Sequence, residues 1–305
     1  MTAYVIRRVL WIIPVMLVIS LITFILMHAT PGGPFDTEKA HSAAVQTNLE
    51  HKYGLDKPLP VQYLTYVANA ARGDFGISYT YQDRDVRDII LSGMPTTARL
   101  AALGLVVAVI LGLVLGTISA LRQNTWADYV ALTFATAGAS TPNFVWAMIL
   151  IVVFALTFHW FPTGGWGQWR QMVLPVLALA FTPAAYLARI TRASVLEVKQ
   201  QDYVRTARAK GVGHRILVLR HILRNGLIPV VTVIGPIFAG LFAGSFIIES
   251  IFSIPGTGRL FVQAIDGRDY PLIMGTTLFY AFIIVLMNLL VDLLYAVIDP
   301  RIRYG

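Results

Sequence analysis

The stretch TARLAALGLVVAVILGLVLGTISAL, residues 97–121, carries one charge, Arg99, in 25 residues. A hydrocarbon core about 30 Å thick is crossed by roughly 20 helical residues, so this run can span a membrane unaided. It shows no alternation of apolar and polar positions, which excludes the strand of a transmembrane barrel. Working outward, five further runs share its character: 9–27, 129–158, 172–190, 227–251 and 272–298. The fold class is all-α, a polytopic membrane protein with six transmembrane helices. Composition points the same way. Of 305 residues 56% are hydrophobic and 13% charged, and the mean hydropathy is +0.67, so there are too few polar side chains to cover a soluble surface.

Several function classes fall away on residue types alone. Cysteine is absent and the six histidines are scattered, so neither a thiolate metal site nor a spaced histidine site is expected, and no metal is predicted. No Ser/His/Asp or paired-carboxylate arrangement stands out, and no catalytic residue is assigned. The net charge of +8 is read as the positive-inside bias of a membrane protein rather than as a nucleic-acid signature.

Arg7 and Arg8 before the first run invite a secretory-signal reading. That run is long, contains Pro14 and leads into HATPGGP, residues 28–34, without a small-x-small cleavage site, so it reads as a retained helix. An N-terminus in the cytoplasm places Arg7, Arg8, Arg122, the nine Lys and Arg residues of 189–224, Arg301 and Arg303 on the inner side, 14 of 24 in all. Those left outside share their face with acids. Both termini are then expected in the cytoplasm, which an even number of spans allows. The expected organisation is an N-terminal helix (1–28), an external loop subdomain (29–95), a transmembrane core (96–298) holding a cytoplasmic loop (191–226), and a short tail (299–305). The outer subdomain, with Tyr53, Tyr63, Tyr66, Tyr79 and Tyr81, is long enough to fold into a cap. A plain lid and a docking surface both fit it. HWFPTGGWGQWR, residues 159–170, fits an aromatic belt at the outer interface.

The most basic stretch is DYVRTARAKGVGHRILVLRHILRN, residues 202–225. It carries Arg205, Arg208, Lys210, Arg215, Arg220 and Arg224 against the single acid Asp202. Helix formers follow Asp202, a candidate N-cap; Gly211 and Gly213 break the pattern; a second helix begins at His214. Ile216, Leu219, Ile222 and Leu223 are expected on one side of that helix and Arg215, Arg220 and Arg224 on the other. A loop lying on anionic headgroups would explain the charge. It would not explain a turn of small residues, which suits insertion into a groove on another protein.

Thr206, Ala207 and Gly211 place this loop beside the EAA loop of bacterial ABC importer permeases, in which Glu-Ala-Ala is followed after three residues by Gly. Arg205 and Thr206 stand where Glu and the first Ala would be. RTARAKG followed by LRHILRNGLIPVV resembles the variant of the dipeptide and oligopeptide subfamily. So do RGDFGISY (72–79), GLDKPLPVQY (54–63), ESIFSIPGTGRLFVQAI (249–265), RDYPLIMG (268–275) and DLLYAVIDPRIR (292–303), which together resemble its B-type permease subunit. TPGGP departs from the usual Pro-Gly-Asp-Pro at Gly33. The resemblance implies a type I importer permease that pairs with a second, homologous permease. It also implies two cytoplasmic ATPase subunits, or one fused ATPase, that bind ATP and Mg, and an external solute-binding protein that delivers peptide. No G-x-x-x-x-G-K-[ST] pattern occurs, so ATP and Mg are expected on those partners and no cofactor on this chain.

On this reading Asp202, Tyr203, Arg205, Thr206, Ala207, Arg208, Lys210, Gly211, Gly213, His214 and Arg215 form the ATPase-coupling loop. Ala207 and Gly211 allow close approach, and Arg205, Arg208, Lys210 and Arg215 supply complementary charge. Pro229, Gly235, Pro236, Gly240 and Gly244 are candidates for a hinge or pathway face, with close packing as the plain alternative. Asn143, Asn288 and Asp292 are polar groups at membrane depth. Asp292 is the residue a secondary transporter or channel would use, which is the competing reading, together with a lipid-bound scaffold. Substrate stays open within the subfamily, because relatives handling nickel or other small solutes look alike.

Overall fold

The computed structural model describes the backbone of residues 2–34, 53–81 and 83–298, and side-chain surroundings over 6–8, 10–34, 53–81 and 83–290. Those residues are helical throughout apart from turns and a single antiparallel bridge between Ile77 and Asp85. Two compact units are distinguished: Met1–Thr97 with Pro255–Leu289 and Pro300–Gly305, and Ala98–Ile254 with Leu290–Asp299.

In the first unit, α1 (Thr2–Ala29) is apolar around its whole circumference. Leu10, Trp11, Ile13 and Leu26 are exposed while Ser20, Phe24 and Met27 are buried, as a helix with lipid on one side requires. α2 (Leu59–Ala70) starts where Pro58 and Pro60 favour the first turn. Its Tyr63 lies 3.0 Å from the Ser20 hydroxyl and donates to the Leu17 carbonyl at 3.2 Å. A core of Phe24, Met27, Val86, Ile89, Ile90, Leu272 and Met274, with Tyr63, Tyr66, Tyr81 and Phe75 against it, makes the tyrosine-rich region a folded element. Buried Asp269 organises its edge. Its carboxylate accepts from the Ser78 hydroxyl, from the Thr80 N–H at 3.1 Å and from the Leu272 N–H at 3.2 Å, and so caps the last helix, α12 (Tyr270–Ile298). Burial pushes the Tyr66 and Tyr79 phenols upward, and for Tyr79 the Asp269 charge adds to it. α11 (Thr257–Asp266) begins at Gly256, where the backbone passes so close to Gly93 that a Cβ on Gly93 would sit 2.7 Å from the Thr257 nitrogen.

The second unit is built on α6 (Trp169–Lys199), whose Leu174, Ala178, Leu179, Ala184, Leu187 and Ala188 are buried. α3 (Val86–Leu121) packs against it through glycines. A Cβ on Gly112 would lie 2.5 Å from the Leu187 Cβ, and one on Gly116 would lie 2.5 Å from the Thr191 Cβ. Lipid offers apolar helices no hydrophobic reason to associate, so close approach of small residues supplies the dispersion contact instead. α4 (Trp126–Ser140) repeats this device with Ala127, Ala131, Ala135 and Gly138 buried.

Four helices are long and apolar enough to cross a membrane among the described residues, and six spans result if each of two bent pairs counts as one. The bent pairs refine the expected third and fifth runs. The third divides at Thr141 and Pro142 into α4 and α5 (Asn143–Thr157), which meet at 112°, because proline removes a backbone donor and disfavours helix in the residue before it. The fifth becomes α9 (Ile228–Gly244) and α10 (Phe246–Ile251). α9 follows α8 (His214–Gly226) at 51°, with Pro229 in its first turn.

Candidate functional site: a basic helical joint

Between α6 and α8 the chain forms α7 (Asp202–Ala209). It ends in a backbone-closed turn. The Val212 N–H donates to the Ala207 carbonyl at 3.2 Å and the Gly211 N–H to the Arg208 carbonyl at 3.0 Å, the paired bonds of a Schellman motif. Gly211 has φ +78, a conformation that costs any residue with a Cβ roughly 1–2 kcal/mol. Among the described residues, no atom beyond its chain neighbours lies within 4 Å of where its Cβ would be. Glycine is therefore demanded by the backbone, and the space beside it is open.

Beneath this turn the joint is apolar. Val204, Ala207, Leu217, Val218 and Ile222 are buried against Val195 of α6 and Ala120 of α3. Tyr203 fastens the two helices: its hydroxyl accepts from Asn225 Nδ2 at 2.8 Å and reaches the His221 carbonyl at 3.4 Å. Thr206 returns its hydroxyl to the Asp202 carbonyl at 2.9 Å. Above, Arg208, Lys210, Gly213, His214 and Arg215 are exposed, and none of these charged groups has an ion-pair partner among the described residues. Arg205 approaches Asp202 at 3.8 Å with both side chains largely in solvent, a pair that contributes little.

Three expectations are corrected here. Asp202 does not cap α7: Gln201 holds the cap position and Asp202 is the first helical residue, where its charge still favours the helix N-terminus. Ala207 is turned inward, 8% exposed, so it packs the base and offers no surface. Ile216 and Leu219 are not on the buried side of α8 but exposed. The cause is a π-helical segment, Leu217–Leu223, whose wider turn shifts the phase and brings Leu217 and Val218 inward.

One constellation escaped sequence reasoning. Asp128 of α4, 1% exposed, is gripped by Arg192 of α6 through Nε at 2.8 Å and Nη2 at 2.9 Å. It also accepts from the Ser119 hydroxyl and the Asn124 N–H at 3.0 Å. The pair ties α3, α4 and α6 together at the end of the unit from which α7 leaves. An acid in the first turn of an apolar run is a visible signal, but its partner 64 residues away is not.

Within the spans, Asn143 accepts from the Thr182 hydroxyl at 2.5 Å. Asn288 is half-buried, and the side chain of Asp292 lies outside the described residues. Pro236, Gly240 and Gly244, four residues apart on α9, are exposed and Gly235 is half-buried. Among the described residues, no atom outside the local helix backbone lies within 4 Å of a Cβ built at Gly240 or Gly244, so packing among those residues does not explain them.

The fold and the joint together define a helical membrane protein with an exposed basic face. A chain in inward-facing structures of the MetNI methionine ABC transporter superposes with TM-score 0.60 at 14% identity, over 69% of this chain and 96% of that one. Residues 112–304 match the family of binding-protein-dependent transport system inner membrane components, and residues 1–101 match the N-terminal region of such components. The chain belongs to that family and is a multi-pass membrane protein. It is 47% identical to the dipeptide transport system permease protein DppB of Bacillus subtilis over 99% of this chain and 98% of the relative. It is 43% identical to the oligopeptide transport system permease protein OppB of Escherichia coli K12 over the full length of both.

Proposed function

We propose that this chain is one permease of an ATP-driven importer of dipeptides or oligopeptides and forms half of the pathway, with both termini in the cytoplasm. A second, homologous permease supplies the other half. An external solute-binding protein delivers the peptide, and two ATPase subunits, or one fused ATPase, hold the ATP and Mg. The α7–α8 joint is the docking surface for an ATPase subunit. The observation that carries this reading is the two-sidedness of the joint. Its outer side presents unpaired Arg208, Lys210, His214 and Arg215 with exposed Ile216 and Leu219, the mixture of aliphatic anchor and complementary charge that a protein groove accepts. Its inner side is packed on α3 and α6, so a displacement of the joint is passed to two membrane helices as a packed body.

The test is ATP-dependent peptide uptake in vesicles containing the whole complex. Arg208→Glu with Arg215→Glu is expected to release the ATPase and abolish uptake while the permease pair stays assembled. Gly211→Asn, which tolerates positive φ, is expected to retain uptake where Gly211→Trp loses it. Full uptake in the charge-reversed variant, or uptake without any ATPase, overturns the reading.

A further inference from the structure

α4 contains four hydroxyl side chains, Tyr129, Thr133, Thr136 and Ser140. Their spacing of four, three and four residues puts them on one face of the helix. All four are exposed, and none makes a hydrogen bond within the described residues. Several hydroxyls elsewhere in the spanning segments are returned to their own helix, Thr23 to the Ile19 carbonyl at 2.8 Å, Thr277 to Ile273 at 2.7 Å and Ser250 to Phe246 at 2.9 Å, while Thr182 and Ser119 bond side chains of other helices and the buried Thr191 hydroxyl has no partner. The α4 hydroxyls are instead left to project outward. The stripe ends at the 112° break, where two more polar groups gather. Asn143 has its carbonyl oxygen engaged by Thr182, and the buried indole nitrogen of Trp146 has no partner.

A row of unsatisfied polar groups facing hydrocarbon is costly, because no water is there to take the bonds. Contact with a neighbouring helix through close-packed small residues is the usual alternative. α4 has already committed its small face, Ala127, Ala131, Ala135 and Gly138, to α6, where a Cβ on Gly138 would lie 2.7 Å from the Ala185 Cβ. The one acid of α4, Asp128, is turned inward and paired. What remains outward is therefore uncharged: the four hydroxyls, able both to donate and to accept, flanked by exposed Trp126 and Val130.

We propose that the Tyr129, Thr133, Thr136 and Ser140 face lines the inner half of the translocation pathway and hydrogen-bonds the peptide backbone of the passing substrate. The assignment rests on the importer reading above. Backbone N–H and C=O groups are common to every peptide, so a neutral hydroxyl ladder lets peptides pass irrespective of side chain and charge, while leaving no deep well for any one of them.

The test exploits the absence of cysteine in this chain. Single cysteines at 129, 133, 136 and 140, and at exposed Ile110 of α3 as a lipid-facing control, are placed in the assembled complex with cysteine-free partners. A charged methanethiosulfonate reagent is applied from the cytoplasmic side with and without excess trialanine or trilysine. The expected result is labelling at the four stripe positions, slowed by both peptides, and none at 110. Thr133→Val and Thr136→Val should each lower uptake of trialanine and trilysine by the same factor, about fivefold, which is what one neutral hydrogen bond is worth. Absence of labelling overturns the proposal, as does, in a separate set of double variants, a disulfide between a stripe cysteine and a cysteine introduced into a membrane helix of the second permease. Labelling that neither peptide slows, while both are taken up, overturns the backbone role. If some other solute is imported and no peptide is, the substrate reading falls while the labelling pattern still reports the pathway.

Discussion

The α3–α6 seam and the α7–α8 joint are both built on small residues, and they use them in opposite ways. At the seam, Gly112 and Gly116 are small because Leu187, Ala188 and Thr191 fill the space beside them. At the joint, Gly211 is a glycine because its backbone turns through φ +78, and among the described residues no atom stands where a side chain would be. A glycine at the seam answers a neighbour; a glycine at the joint answers the chain's own path and leaves room for a partner. The seam is closed to change and carries rigidity, while the joint is closed beneath and open above.

That contrast can be broken most forcefully at the ion pair that ties α4 to α6 beside the seam and reaches α3 through Ser119. Removing the Asp128 charge by Asp128→Ala strands Arg192, and a broken buried pair costs about 3–5 kcal/mol. The low end is expected because Arg192 keeps 23% of its side-chain surface in solvent, and a loss of detergent-solubilised complex on size-exclusion chromatography measures it. Replacing both partners, Asp128→Leu with Arg192→Leu, should recover most of the loss, since an apolar pair carries no stranded charge. Next comes overpacking. Gly116→Val inserts atoms where the Thr191 Cβ and the Ala188 carbonyl already lie 2.5 and 2.6 Å from a Cβ, and is expected to lower stability by about 1–3 kcal/mol or more, read as a drop in thermal midpoint.

Smaller effects sharpen the other side of the comparison. Gly211→Ala should cost about 1 kcal/mol through backbone strain alone, and Gly211→Asn less, because asparagine enters the left-handed region more readily. An equal loss in both variants would mean that the space beside Gly211 is not free in the assembled protein. Arg208→Glu should leave the stability of the isolated permease pair within about 0.5 kcal/mol of the parent, as exposed substitutions do, yet weaken ATPase co-purification. A matching loss of stability would place Arg208 inside the joint rather than on its face.

Much of this architecture is legible before any coordinates. The runs at 97–121, 172–190 and 272–298 fall inside α3, α6 and α12, because unbroken hydrophobicity over 20 residues has one outcome in a bilayer. The helix, turn and helix of the joint, and the glycine that closes the first helix, follow from local propensity and capping chemistry. The misreadings have local causes too. The run at 129–158 remains a candidate span, but hydropathy averages across Pro142 and so hides the break in the backbone there. The face of α8 was placed with a period of 3.6, and the π-helical Leu217–Leu223 segment displaces it.

The sequence by itself determined that the chain crosses a membrane as helices, that its charge gathers between α6 and α9, and that a glycine must stand at position 211. These are consequences of solvent and backbone, which act on each segment separately. Only the tertiary structure decided that Asp128 meets Arg192, that Ala207 faces inward while Ile216 and Leu219 face out, and that the hydroxyls of α4 find no partner among the described residues. Each of these depends on which helix lies alongside which, and a pairing across 64 residues leaves no mark on the residues between.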